Sequence, residues 1–282
     1  MFSFGTEKTS LAPNFLPDDS SQQWLRDQLV NIRQQLAGNK QASGLLIDVP
    51  SKKISPDLDS LFELICGLQQ VVGQGSLEFT LIELSSSKPE IPPNFRPLGD
   101  PSGQMLHTLV SPSELALVYN PAIFRKQELL FASVARIVGR LALFQVASKG
   151  MQEKQRDDSL TSAENLQKIG ETDELARAEL AAIVLGIGAW VVNGAYVFEN
   201  SCCGGGCGID LSSVRTGLSM PEACFALALD SQFRGLKKRI VARQLAPTQK
   251  SAFAAGWKQV EQSPLVALPV ASTSNPAIMD HS

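Results

Sequence analysis

Three of the five cysteines in the chain fall inside the stretch SCCGGGCG, at Cys202, Cys203 and Cys207. Thiolates bind soft metals and carry redox chemistry, so this cluster is the first candidate centre. Its spacing argues against a closed structural zinc site. Such a site wants four ligands, commonly in paired Cys-x-x-Cys runs, and Cys-Cys-x-x-x-Cys supplies three at most. Cys224, in EACFALAL, reads as an apolar helix position, and Cys66 as a core thiol. Adjacent cysteines also seldom pair with each other, given the Cα separation that a relaxed disulfide needs. Three readings stay open: a glycine loop with free thiols, which leads, a thiol metal site at Cys202, Cys203 and Cys207, and a redox site.

Other motifs are weaker. The chain has two histidines, His107 and His281, so no histidine pair stands at ligand spacing. GIGAWVVNG lies in an apolar run with no strand before it and no third glycine, which excludes a dinucleotide fingerprint. RGLKKRIVARQ gathers Arg234, Lys237, Lys238, Arg239 and Arg243 without interleaved aromatics, the pattern of a solvated helix face rather than a nucleic-acid surface. Asp157, Asp158, Glu171, Asp173 and Glu174 read as a solvated acidic loop.

The elements that position these residues follow an α+β order. DDSSQQWLRDQLVNIRQQLAG predicts a capped amphipathic helix that buries Trp24, Leu25, Leu29, Ile32 and Leu36, and GLLIDV a short strand. SPDLDSLFELICGLQQVVG predicts a second helix, with Ser55 as N-cap and Pro56 in its first turn. LEFTLIEL alternates as a strand, with Leu77, Phe79 and Leu81 on one side. A Pro-rich connection, 89–101, leads to two more strands, QMLHTLV and ELALVY. Asn120 and Pro121 then signal a long helix ending at Gly150, followed by a polar loop over 151–172. An apolar helix from about Asp173 to Phe198, the Cys-Gly loop and two shorter helices complete a helical back half. We expect a flexible N-terminus over 1–17, a single domain over 18–263 and a disordered tail over 264–282.

At 282 residues, 44% hydrophobic and 19% charged, the chain can bury a sizeable core. Its net charge of -3 supplies no field to attract nucleic acid or a membrane surface. MFSFGTEKTSLAPNF has no basic segment followed by an apolar run, so no signal peptide is read and a cytoplasmic location is expected. Leu180 to Phe198 carries no charge and approaches the roughly 20 residues that span a bilayer. Yet Glu179 and Glu199 flank it, Gly186, Gly188, Asn193 and Gly194 interrupt it, and no nearby Lys or Arg sets an orientation. A buried central helix is the expectation, a membrane anchor the alternative.

The helix LLFASVARIVGRLALF, with the strand pair before it and ELAAIVLGIGAWVVNG after it, resembles a group of bacterial proteins of zincin-like metallopeptidase architecture. There a helix carries A-H-E-x-x-H, and a later helix with Gly-x-Gly and Asn supplies a third, acidic ligand. The resemblance runs from about Asp18 to Arg234. It implies a zincin-like α+β fold, with a small N-terminal mixed sheet and helices followed by a helical C-terminal half. It also places Arg136 and Arg140 at the two histidine positions, Ile137 at the glutamate position and Glu179 at the acidic one. Zinc chemistry needs imidazole lone pairs and a carboxylate base, which two guanidinium groups and an isoleucine cannot offer. No metal or other cofactor is expected there.

Two fates remain for the charges. Arg136 and Arg140 either pair with Glu179 in place of the metal, or point to solvent from an exposed face. The apolar flanks Val134, Ile137, Val138 and Leu141 do not decide which face is buried. The leading functional expectation is a non-catalytic scaffold or binding protein with an unidentified partner, a protein being one candidate. The alternatives are a metal or redox protein built on the Cys-Gly loop and a membrane-associated protein anchored through 180–198.

Overall fold

Leu129 through Ala142 are all buried, so the helix that carries them has no polar face and helical periodicity cannot orient it. This is α3 (Gln127–Lys154), the central element of a computed structural model that describes residues 15–37, 46–75, 77–84, 93–154, 171–199 and 214–263. Against α3 pack α4 (Glu171–Ala182) and α5 (Gly188–Glu199), which are joined by a π turn over Ile183–Ile187. Another layer of helices covers them. Here α1 (Asp19–Leu36) and α8 (Pro247–Gln262) pack on α6 (Met220–Phe233), with the short α7 (Lys238–Ala242) beside α8.

The sheet has the order β1-β4-β3-β2, built from β1 (Thr80–Glu83), β2 (Arg96–Pro97), β3 (Leu106–Val110) and β4 (Leu115–Tyr119). β1 runs parallel to β4, and the β3 pairings to β4 and β2 are antiparallel. Strand alternation divides the apolar side chains. Leu77, Phe79 and Leu81 join Leu106, Val110, Leu115, Leu117 and Tyr119 in the main core, while Ile82 and Leu84 pack with Leu109, Ala116 and Val118. The α+β architecture, a small mixed sheet with a mostly helical remainder, is therefore present.

Several local expectations are corrected. The described part of GLLIDV forms no strand, because its backbone finds a different acceptor: the Ile47 N–H donates to the Gly186 carbonyl at 2.9 Å. That carbonyl is set at a break in the helix, where Gly186 takes φ 91°. The cap of α2 (Leu58–Val71) is Asp57, whose carboxylate accepts from Ser60 N–H at 2.7 Å, and not Ser55. Asn120 and Pro121 cap a 3-10 turn, Pro121–Arg125, after which Lys126 is extended and α3 begins anew at Gln127. α3 passes through Gly150 instead of stopping there.

Three expectations change in the surroundings. The Pro-rich connection contributes edge strand β2, whose Pro97 lacks the N–H that a central strand would need. Glu171 belongs to α4 rather than to a loop, and Asp173 and Glu174, read both as loop acids and as the start of the apolar helix, fall on that helix. Phe15 and Leu16 already pack against the core ahead of the expected start at Asp18, which caps α1 by accepting from Ser21 N–H. The segments 1–14 and 264–282, the Cys-Gly loop, and Asp157 and Asp158 lie outside the described residues.

Glycine sets how closely the central helices approach. A Cβ at Gly139 would lie 2.0 Å from the Ala178 carbonyl oxygen, and one at Gly194 would lie 2.1 Å from the Ala132 Cβ. α3 thus touches α4 backbone to backbone, and α5 comes equally close to it at the Ala132 side chain. Two stretches, Gln127–Ser148 and Glu174–Ala195, are long and apolar enough to cross a bilayer, yet 78% and 94% of their most apolar windows are buried inside the protein. Most of that apolar surface is packed inside the protein.

Gly139→Ala should therefore destabilise the protein by about 1 to 3 kcal/mol or more, because neither backbone can give way locally. Gly67→Ala is the control, since nothing lies within 4 Å of its Cβ position on α2. It should stabilise by up to about 1 kcal/mol through helix propensity. Urea unfolding of both variants checks the contrast.

Candidate functional site

Arg136 and Arg140 lie one helical turn apart on α3, and Glu179 lies on the neighbouring α4. The solvent-facing alternative for the arginines is overturned. Arg136 pairs with Glu179 through Nε at 2.8 Å and Nη2 at 2.5 Å, both to Oε1. The two side chains are only 2% and 4% exposed. Both guanidinium nitrogens converge on one carboxylate oxygen, so the pair is not the parallel fork of two oxygens.

Backbone amides occupy the rest of the carboxylate. Leu218 N–H donates to Oε2 at 2.7 Å and Gly217 N–H to Oε1 at 3.2 Å. Only glycine fits at 217, because a Cβ there would lie 2.2 Å from the Ala176 backbone nitrogen. One residue later, Ser219 and Glu222 form a capping box that starts α6. Four donors are directed at the Glu179 carboxylate, three to Oε1 and one to Oε2, so its negative charge is answered by protein N–H groups.

Arg140 behaves differently. It does not reach Glu179. Its Nη1 donates to Gln104 Oε1 at 3.2 Å, and its Nε faces Glu174 Oε1 at 3.4 Å. Its Nη2 is buried without a hydrogen-bond partner among the described residues. Gln104 is held in turn by a bond from its amide nitrogen to the Asp100 carbonyl. Gly99 supplies the last constraint, since its φ of 81° and its missing Cβ leave room for the Glu174 carboxylate.

Of these groups, Gly99, Asp100, Arg140 and Glu174 border a cleft of ≈ 720 Å³, within the size range of small-molecule sites. Arg96, Arg140 and Arg177 line it together with Asp100 and Glu174, and Leu98, Val110, Leu143, Phe144, Val146 and Ala147 form its apolar wall. Asp100 is already engaged by Arg215 at 2.9 Å. Gln104, Gly217 and Leu218 were missed in sequence reading, and Glu174 was read both as a loop acid and as part of the apolar helix. No local signal marks any of them, because each joins the site from a segment remote from α3.

The remaining candidates separate from this site. Ile137 is fully buried in the core, as its type requires. His107 sits on β3 with its Nδ1 unpartnered among the described residues, and burial followed by the nearby Arg140 guanidinium holds its pKa below the ordinary value. Cys224 is buried beside the Gln249 carbonyl, whereas Cys66 is only partly buried, a correction to its reading as a core thiol. Cys202, Cys203 and Cys207 lie outside the described residues, and among those described no group of three His, Cys, Asp or Glu side chains has the arrangement of a metal site. Arg234 leaves the expected basic face. Its side chain is buried and pairs with Asp230, which Arg33 of α1 also contacts. Lys237, Lys238, Arg239 and Arg243 are exposed.

Comparison with family models, with curated proteins and with solved structures returns no match to this chain.

Removing one partner of the buried pair strands a charge, so Arg136→Met and Glu179→Leu should each cost about 3 to 5 kcal/mol. The double variant should cost less than their sum by at least about 1 kcal/mol. Combining Arg140→Met with Glu179→Leu should show a smaller coupling. Chemical denaturation of the singles and doubles measures both cycles.

His107 provides a pH dependence. Its folded pKa is lowered, so the unfolded chain binds the proton more readily below the ordinary 6.5. Stability from this group is complete above pH 6.5 and is lost as the pH falls toward the folded pKa, with a slope of at most about 1.4 kcal/mol per pH unit. His107→Gln should flatten the decline between about pH 6.5 and 5, a range above ordinary carboxylate titration. Urea midpoints across that range check it.

Proposed function

We propose that the chain is a non-catalytic binding protein on a zincin-like scaffold, in which an ion pair stands where a metal would sit. The carrying observation is the Arg136 to Glu179 contact. Three further features support the reading. β3 and β4 lead into α3, the helix with Arg136, Ile137 and Arg140 at the motif positions. Glu179 faces it from the next helix, as the acidic position of the resembled pattern does. A guanidinium also replaces what a dication supplied to that carboxylate: positive charge, without a lone pair or an open coordination site. With isoleucine where the resembled pattern has its base and guanidinium groups where it has its imidazole ligands, the hydrolytic step has no agent. What remains beside the pair is the cleft, whose work is binding.

The test begins with metal content and peptidase assays on purified protein. Zinc should stay well below one equivalent, and no chelator-sensitive cleavage should appear. A stoichiometric zinc ion that supports peptide cleavage would overturn the non-catalytic reading. The scaffold part is tested separately by combining Arg136→His, Ile137→Glu and Arg140→His. That triple variant should gain about one equivalent of zinc, while Arg136→His alone gains none. A folded triple variant that binds no zinc would count against the zincin-like placement.

A further inference from the structure

The cleft beside α3 carries more positive charge than its own residues neutralise. Three arginines, Arg96, Arg140 and Arg177, line it against Asp100 and Glu174, and Arg215 already draws on Asp100. Arg140 is the unusual member. Its side chain is 3% exposed, Nη2 has no hydrogen-bond acceptor among the described residues, and the Glu174 contact at 3.4 Å is a loose ion pair. Arg177 likewise leaves a buried Nε without a partner among the described residues, although its Nη2 reaches Gln35. Buried guanidinium N–H groups are seldom left unsatisfied, because each forfeits its bond to water without replacement. Two such groups lining one cleft mark the place of an absent acceptor.

Beyond Arg140 the lining of the cleft is apolar. Leu143, Phe144, Val146 and Ala147 continue α3 for two turns beyond Arg140, and Leu98 and Val110 face them from the sheet side. A ligand that satisfies both surfaces needs a flat anionic head and an aliphatic body. We infer that the cleft binds an alkyl carboxylate, with its head on the free N–H groups of Arg140 and Arg177 and its chain along Leu143, Phe144 and Ala147. One negative charge balances the surplus positive charge of the lining. A carboxylate also matches the planar donor edge of a guanidinium. This deepens the binding-protein reading and rests on it for the role of the cleft.

Calorimetric titration of the full chain with decanoate, decanol and acetate, each below any micelle-forming concentration, tests the proposal. Decanoate should bind at one saturable equivalent, and decanol and acetate each at least about tenfold more weakly, since each lacks one half of the recognition. Arg140→Met should weaken decanoate roughly 10- to 100-fold, the loss expected for hydrogen bonds to a charged group. Ala147→Trp should do the same by filling the cleft without touching a charge. Equal binding of decanol and decanoate, non-saturable uptake, no binding at all because the chain itself fills the cleft, or indifference to both variants would each overturn the proposal. If Arg140→Met fails to fold, the headgroup series on the unaltered protein and Ala147→Trp decide alone. Failure here leaves the metal-free reading standing, because that reading is judged by zinc content.

Discussion

A carboxylate buried between helices must be answered from every side, and the way Glu179 is answered organises the rest of the molecule. Arg136 supplies the countercharge from α3, and the amides of Gly217 and Leu218 supply donors from the segment that starts α6. Without the guanidinium, the loss of hydration would exceed what two amides return. Without the amides, Oε2 would be an orphaned acceptor in the core. One side chain therefore fixes the separation of α3 and α4 and the point at which α6 begins.

That arrangement needs the backbones to come close, which is the work of glycine. Gly139 lets α3 rest on the Ala178 carbonyl, one residue before the acid itself, and Gly217 lets the amide segment rest on Leu175 and Ala176. The same device recurs at the cleft, where Gly99 yields its Cβ volume to Glu174. The polar contacts and the steric contacts are thus one construction. Small residues at the crossings set the distances over which the charged ones act.

The sequence was legible wherever a local cause determined the outcome. Strand alternation located β1, the Pro-rich break marked the apolar runs that became β3 and β4, and capping residues located α1 and α6 to within a few positions. The capping signal at Asn120 and Pro121 was genuine but ended after one 3-10 turn, since Lys126 adopts an extended backbone that nothing in its type announces. Arg136 and Glu179 stand out only as positions of the resembled pattern and not from periodicity, because a helix buried on all sides shows none. Arg140 meeting Gln104 and Glu174, the amides that close around Glu179, and the Arg33 contact to Asp230 were not legible. Each joins segments far apart in the chain, and a single sequence carries no record of such pairings beyond charge type.

The mutual dependence of Arg136 and Glu179 also governs how this protein can change over generations. Loss of either side chain leaves the other in a medium that cannot solvate it, so each residue is tolerable only in the company of its partner. Drift by single substitutions at either position meets a stability barrier, even where two neutral apolar residues would pack acceptably together. The two sites form one unit of inheritance: descendants keep both, or exchange both through a compensating background.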